Sequence, residues 1–410
     1  MIGKRFLFLT ALAVIVPSMA MAASLSMIPP VGNNTASDAL AMTPDGKYVV
    51  GTASGGTAAG FIWDAVNGAR TILDTANASP VSATGIAYSV NAGIQQIHVL
   101  GMSAGYPTVF HSTDQTATWT KWRDTATYTT HNIGSQNMMS SGMGADADKY
   151  YFGLNKNDKR YVYTGVGVGT ATPTVTAKST SNVDIVVQGM GGTGGGTNGR
   201  AAGYRKDTSG NRLAMRLQQG VQGYIDTLDV VLANRGEAWD VSDDGNVFVG
   251  FGPTNDGGDT SSRPYVNFFG TADLAYPLPL LPDCTNTATK GWAYGTNADG
   301  KYVVGVLYRE LTPGVYTERA VLWSLPNPAD PNTWSVLDLT DFATSAGILD
   351  GFSWLKRARS VGVDESGNVY VSGLGVEAGT GASRGFVLMV PEPATLGLLL
   401  LGLPLLRRRR

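Results

Sequence analysis

Asp45-Gly46-Lys47-Tyr48-Val49-Val50-Gly51 recurs, residue for residue, as Asp299-Gly300-Lys301-Tyr302-Val303-Val304-Gly305. The surroundings repeat as well. Asp38 to Leu73 reads DALAMTPDGKYVVGTASGGTAAGFIWDAVNGARTIL, and Gly291 to Trp323 reads GWAYGTNADGKYVVGVLYRELTPGVYTERAVLW. AWDVSDDGNVFVGF from Ala238 and SVGVDESGNVYVSGL from Ser360 follow the same plan. A short strand runs into an Asp-Gly or Ser-Gly turn, and such turns use glycine where φ must be positive. A second strand alternates aromatic and Val, a Gly-rich loop follows, and a third strand carries an aromatic. Gly60-Phe61-Ile62-Trp63, Ala320-Val321-Leu322-Trp323 and Gly385-Phe386-Val387-Leu388 are such third strands.

Weaker copies fill the middle, at Thr84 to Phe110, Ser141 to Tyr163 and Val186 to Arg216. A period of about 50 residues is that of propeller blades rather than of helical solenoids. The expectation is an all-β chain: a single β-propeller of seven blades over 23–390. A β-helix is the alternative, but its coils are shorter and need no hairpin turns. The repeat resembles the extracellular HAF repeats, with Ala59-Gly60-Phe61 and Arg384-Gly385-Phe386 in the place of His-Ala-Phe. The name-giving His is absent from the copies that align, and the resemblance implies no defined reaction.

The last repeat ends at Pro391, which cannot continue a central strand. Its blade is then one strand short, and an open edge exposes unpaired N–H and C=O groups. Near the start, Ser24-Leu25-Ser26-Met27-Ile28 alternates before Pro29 and Pro30. This segment is expected to pair as the outer strand of the last blade and close the ring.

Both chain ends carry targeting signals. Lys4 and Arg5 precede an apolar run from Phe6 to Val16, Pro17 breaks it, and Ala20-Met21-Ala22 offers small residues at Ala20 and Ala22. This pattern is a secretory signal peptide over 1–22, cleaved after Ala22; an uncleaved anchor is the alternative. At the other end, over 391–410, stand Pro391-Glu392-Pro393, an apolar stretch from Ala394 to Leu406, and Arg407, Arg408, Arg409 and Arg410. As a helix the stretch would extend about 20 Å, short of a bilayer core of about 30 Å, so it spans with flanking residues drawn in. The arginines act as a membrane stop on the cytoplasmic side, and the body lies across the membrane. The order Pro-Glu-Pro, transmembrane helix, Arg cluster resembles the PEP-CTERM sorting signal of Gram-negative bacteria that make exopolysaccharide. The resemblance implies Pro391, Glu392 and Pro393 as recognition residues for an exosortase-type processing enzyme. A plain C-terminal anchor is the other reading.

Of 410 residues, 30 are basic and 32 acidic; setting aside Lys4, Arg5 and the four terminal arginines leaves 24 basic, and the exported body near −8. No basic footprint for nucleic acid is present. The 53 glycines among aromatic and β-branched runs agree with an all-β reading. Cys284 is the single cysteine, so no intrachain disulfide forms, and an inert, half-buried thiol is expected.

No residue set announces catalysis. Ser112-Thr113-Asp114-Gln115-Thr116-Ala117-Thr118-Trp119 resembles the Asp-box turn of sialidase-like propellers, with Thr116 in place of Gly; that box is structural. Asn155, Asn157 and Asp158, and again Asn255, Asp256 and Asp259, are oxygen-rich enough to hold Ca²⁺. Neither set has EF-hand spacing, and solvated turns explain them, as they do Asp146 and Asp148. No metal site and no cofactor are expected beyond that Ca²⁺ option. His98, His111 and His131 are the only histidines, and His98 lies in an apolar strand run as a packed or rim residue. Met190 to Gly199, MGGTGGGTNG, lacks the Lys-Ser/Thr of a P-loop and reads as a blade loop. Trp63, Trp239, Trp292, Trp323 and Trp354 fall on or near repeat strands, where they fill the wedge between blades or stack on sugar rings at a rim.

Two functions remain. One is a non-enzymatic binding or structural protein of the cell surface or extracellular matrix, membrane-anchored before processing, with exopolysaccharide or a surface protein as ligand. The other is a glycosidase or lyase acting on polysaccharide at the axial face. Paired carboxyl groups about 5–10 Å apart in a cleft would favour hydrolysis.

Overall fold

The computed structural model describes residues 22–391, apart from 73–81, 92, 104–105, 114–118, 123–138, 147–148, 157–158, 167–173, 179–184, 192–199, 207–208, 211, 219–235, 253–262, 270–274, 285–290 and 313. Outside these bounds lie Ala20, Glu392, Pro393, Arg407 to Arg410, His131, Asp114 of the Asp-box, Asn157, Asp158, Asn255, Asp256, Asp259 and Asp148. Ala22 is exposed and Pro391 is buried at the end of the last strand. Among the described residues no helix is long and apolar enough to cross a membrane.

Apart from Ser24–Ile28, the described strands pair with near neighbours in sequence, and they form seven antiparallel sheets of three or four strands. The first sheet holds Ala36–Met42, Tyr48–Ser54, Ala59–Asp64 and Ala69–Ile72. The first strands of the others are Ser82–Asn91, Met139–Asp146, Ile185–Gly191, Glu237–Val241, Gly291–Thr296 and Phe352–Val363. Each of these first strands packs on the next in order, and Phe352–Val363 returns to Ala36–Met42. A short helix, Leu339–Ser345, capped by Asp338, follows the sixth sheet and was not visible in the repeat.

The turns explain the conserved spacing within the chain's own repeats. Gly46 N–H donates to Thr43 C=O at 2.9 Å, and Thr43 N–H donates to Tyr48 C=O at 2.9 Å. Asp45 Oδ1 accepts from Thr43 Oγ1 at 2.6 Å and from Lys47 N–H at 3.0 Å. Asp244 and Asp299 repeat this, taking Ser242 Oγ at 2.5 Å and Asn297 Nδ2 at 2.8 Å. The turn is therefore longer than a two-residue hairpin and depends on an Asp side chain as much as on glycine. Gly46 sits at φ +74°, and a Cβ there would meet the Tyr370 ring of the seventh sheet at 2.5 Å.

The expected pairing of Ser24–Ile28 with the last sheet is present. The seventh sheet runs in the order Phe352–Val363, Val369–Glu377, Ser383–Val390, Ser24–Ile28. Ser24 lies opposite Met389 and Ile28 opposite Gly385. Ser37 ties this closure to the first sheet: its hydroxyl donates to Ile28 C=O at 2.6 Å and accepts from Gly385 N–H at 3.0 Å. Between sheets lie apolar wedges. Ile28, Val49, Phe61, Trp63 and Val387 fill one, and Val249, Val266, Leu307, Trp323 and Trp334 another.

Candidate functional site in the central cavity

A cavity of about 440 Å³ is bounded by the first strands of six sheets, from Leu40 and Thr84 round to Arg359 and Val361. The strand registers give it two distinct ends. At the turn end, Asp240 and Asp243 line the wall. Asp240 Oδ2 accepts from Thr296 N–H at 3.0 Å. Burial pushes the Asp240 carboxyl up to about 7, against hydrogen bonds that lower it, and the Asp243 carboxyl up to about 6. Both are therefore partly protonated near neutral pH.

Trp239, Tyr294 and Arg359 also line the cavity, and further aromatics and charges stand behind them. Trp239 and Trp292 lie near-parallel at 6.3 Å, and Tyr294 meets them edge-on at 5.3 and 5.7 Å. Phe251 backs Trp292 at 5.1 Å. The Arg359 guanidinium sits 4.7 Å from the Tyr294 ring centre, a cation–π contact. Arg359 Nη2 is 3.8 Å from Asp38 Oδ2, at the outer limit of an ion pair. Burial raises the Asp38 carboxyl, although Arg359 and Arg357 oppose that shift. Beside them Glu318 is clamped by Arg357, whose Nε donates at 2.9 Å, and by Lys356 at 3.2 Å.

The repeat explains the assembly of this cluster. Asp38, Glu237, Trp292 and Arg359 stand at one repeat position, seven residues ahead of Asp45, Asp244, Asp299 and Ser366. Of these four, Arg359 lines the cavity. Glu237 is engaged by Arg212 and by Gln188 Nε2 at 3.3 Å. Trp292 is backed by Phe251, which leaves Asp38 and Arg359 facing one another. Sequence reasoning singled out Trp239 and Trp292 but missed Asp38, Asp240, Tyr294 and Arg359. Aligning the copies on the turn and reading the column for polar residues would have found Asp38 and Arg359.

The other tryptophans divide. Trp63 and Trp323 are buried in wedges, Trp323 donating through Nε1 to Pro279 C=O at 2.7 Å, whereas Trp354 is half-buried. Cys284 is fully buried rather than half-buried, because it packs among Leu278, Leu307 and Leu325; burial pushes its thiol up to about 12. His98 is a packed residue. Its Nδ1 lies 2.7 Å from His111 Nδ1, and its Nε2 lies 2.6 Å from Ser89 Oγ. Burial pushes His98 down to about 3 and His111 to about 4, so both rings are neutral.

The chain is an all-β protein of small antiparallel sheets, similar in fold to β-propeller proteins. Among solved structures, an ancestral GH74 enzyme is similar over 86% of this chain and 48% of its own, at 13% identity and a TM-score of 0.53. The chain thus spans about half the length of that enzyme. The β-propeller domain of the Trilobed protease from Pyrococcus furiosus, of open velcro topology, is similar over 89% of this chain and 95% of its own, at 12% identity and a TM-score of 0.47. The polysaccharide lyase Uly1 is similar over 89% and 91%, at 10% identity and a TM-score of 0.46. At these identities the likeness is one of fold alone. No family model and no curated protein matches the chain.

Proposed function

We propose that the chain is an exported propeller of seven blades over 23–390, and that it binds polysaccharide in its central cavity without cleaving it. Its first 22 residues direct export. Pro391, Glu392 and Pro393 are read by an exosortase-type enzyme, and Arg407 to Arg410 stop the transmembrane segment before processing. The product belongs to the cell surface or extracellular matrix.

The observation that carries binding is the pair Trp239 and Tyr294 on the cavity lining, with Trp292 packed against both. Indole and phenol faces stack on sugar rings while their N–H and O–H groups reach hydroxyls. Ser24 and Val390 lie at the turn end of the seventh sheet, beside Val369 and Asp364, so both chain ends leave from that side. Tethering through the tail would turn the aromatic half outward, toward a matrix. Binding is tested by affinity electrophoresis of the exported protein in gels holding exopolysaccharide from the producing cells. Retardation is expected with the unmodified protein and not with Trp239→Ala. Equal mobility in gels with and without polysaccharide would remove the proposal.

A second reading, a glycosidase or lyase, draws on Asp240 and Asp243. Carboxyl groups held up to about 7 and about 6 in a cavity suit a general acid. Release of new reducing or unsaturated ends, abolished by Asp240→Asn, would establish this reading over simple binding.

A further inference from the structure

We propose that the part of the cavity formed by Arg359, Tyr294 and Trp239, with Trp292 packed behind them, selects an acidic sugar, a uronate whose carboxylate pairs with Arg359. The proposal rests on the glycan-binding reading above and names the class of glycan.

Among the described residues, Arg359 Nε, Tyr294 Oη and Trp239 Nε1 on the lining, and Trp292 Nε1 behind them, are buried donors that find no partner, and Asp38 Oδ1 beside them is a buried acceptor that finds none. A buried donor left unmade costs about 1–3 kcal/mol, and more for a charged group. The ring contacts hold them in one neighbourhood, with Tyr294 touching both indoles and the guanidinium. An indole N–H and a guanidinium N–H donate and cannot accept. The ligand that satisfies them must bring acceptors, and a carboxylate brings two oxygens that accept without donating.

Charge is divided along the cavity. Arg359 is the cation on the cavity lining among the described residues, with Asp240 and Asp243 toward the turns, while Lys356 and Arg357 stand behind it on the same strand against Glu318. Glu318 engages Lys356 and Arg357, while among the described residues the carboxylate nearest Arg359 is Asp38 at 3.8 Å. Arg359 is also fixed in place. Its side chain is 20% exposed, lies on Tyr294, and stands on a first strand whose backbone touches Gly295 of the neighbouring sheet, where a Cβ would meet Arg359 C=O at 2.5 Å. A planar guanidinium held this way suits a carboxylate better than a mobile lysine does. The aromatic rings supply the stacking surface for the sugar, and the charge supplies the discrimination. Neutral sugars would leave the Arg359 charge with no counter-ion nearer than Asp38 at 3.8 Å.

The test uses uronate oligosaccharides from polygalacturonate, alginate and hyaluronate, each alongside its methyl ester, titrated into the full exported protein by calorimetry at two salt concentrations. The expected result is binding of at least one acid form, weakened at least tenfold on esterification and weakened by salt, with Arg359→Gln binding acid and ester alike. Tyr294→Phe should lower affinity for both forms and keep the preference. An ester that binds as tightly as its acid, or a preference that survives in Arg359→Gln, would overturn the uronate assignment and leave glycan binding standing. Binding of neither form, together with no retardation by the producing cells' polysaccharide, would overturn the glycan-binding reading itself. A melting curve for Arg359→Gln that superimposes on that of the unmodified protein shows that the variant folds. If it does not superimpose, the salt dependence and the ester comparison on unmodified protein decide the question alone.

Discussion

Ser24 stands opposite Met389, so the beginning of the described chain is the outer strand of its final sheet. Ile28, at the other end of that strand, is fully buried against Val31, Ala39, Phe61 and Val387. The closing strand thus contributes ladder hydrogen bonds to one sheet and apolar area to the wedge beside it. Ile28→Ala is expected to cost about 2–5 kcal/mol, the range for truncating a buried aliphatic side chain. Deleting 23–28 should cost more, because it also bares the edge of Ser383–Val390. Urea unfolding of the three proteins checks this; a deletion that unfolds with the same midpoint would show that closure lies elsewhere.

Gly46 and Gly210 share a positive φ, +74° and +80°, but not a neighbourhood. Nothing lies within 4 Å of a Cβ at Gly210, whereas one at Gly46 would enter the Tyr370 ring. Gly210→Ala should therefore cost about 1–2 kcal/mol, the backbone penalty alone. Gly46→Ala should cost clearly more, since Tyr370 must move out of its place between sheets. Comparing the two melting temperatures separates backbone strain from packing.

Stability should depend on pH through the His98–His111 pair. Their folded values, about 3 and about 4, lie below the ordinary 6.5. Between about pH 6.5 and 4 the unfolded chain binds protons that the folded chain does not, so this contribution is full above 6.5 and is lost as pH falls. Asp240 and Asp243 act in the opposite direction. Their folded values are raised, so their protonated forms favour the fold below about pH 4 and that contribution is lost as pH rises toward 7. Replacing both histidines by Gln should flatten the acid limb of a plot of unfolding midpoint against pH, and Asp240→Asn should flatten the limb between pH 4 and 7. Unchanged curves would mean that these groups are solvated in the native protein.

The tail and the signal peptide act independently in this account. Alanine at Pro391, Glu392 and Pro393 together should leave export intact and shift the protein between membrane and medium. Fractionation of the cells reads this directly, and an unchanged distribution would reduce the tail to a plain anchor.

The fold was legible because its determinants are local. An Asp that caps its own turn, a glycine at positive φ and an alternating strand all fall within about ten residues, and they recur. Ser24 to Ile28 was legible by elimination, since one sheet needed a strand and one alternating segment had no partner. The cavity was harder. Asp38 and Arg359 stand near opposite ends of the sequence and meet only because the last sheet returns to the first. Asp240 reads as one more turn-proximal acid until its backbone donor, Thr296, is seen to come from the next sheet. The pairing of His98 with His111 follows from strand register, which the apolar run around His98 does not reveal.

The central claim is that the cavity, and no outer surface, holds the glycan. The most direct measurement is tryptophan fluorescence of the exported protein titrated with the polysaccharide of the producing cells, in unmodified protein and in Trp239→Phe, Trp292→Phe and Trp354→Phe. The account predicts saturable quenching that falls when Trp239 or Trp292 is replaced and persists when Trp354 is replaced, with melting temperatures held. Quenching that survives loss of both Trp239 and Trp292, or none in the unmodified protein, would contradict it.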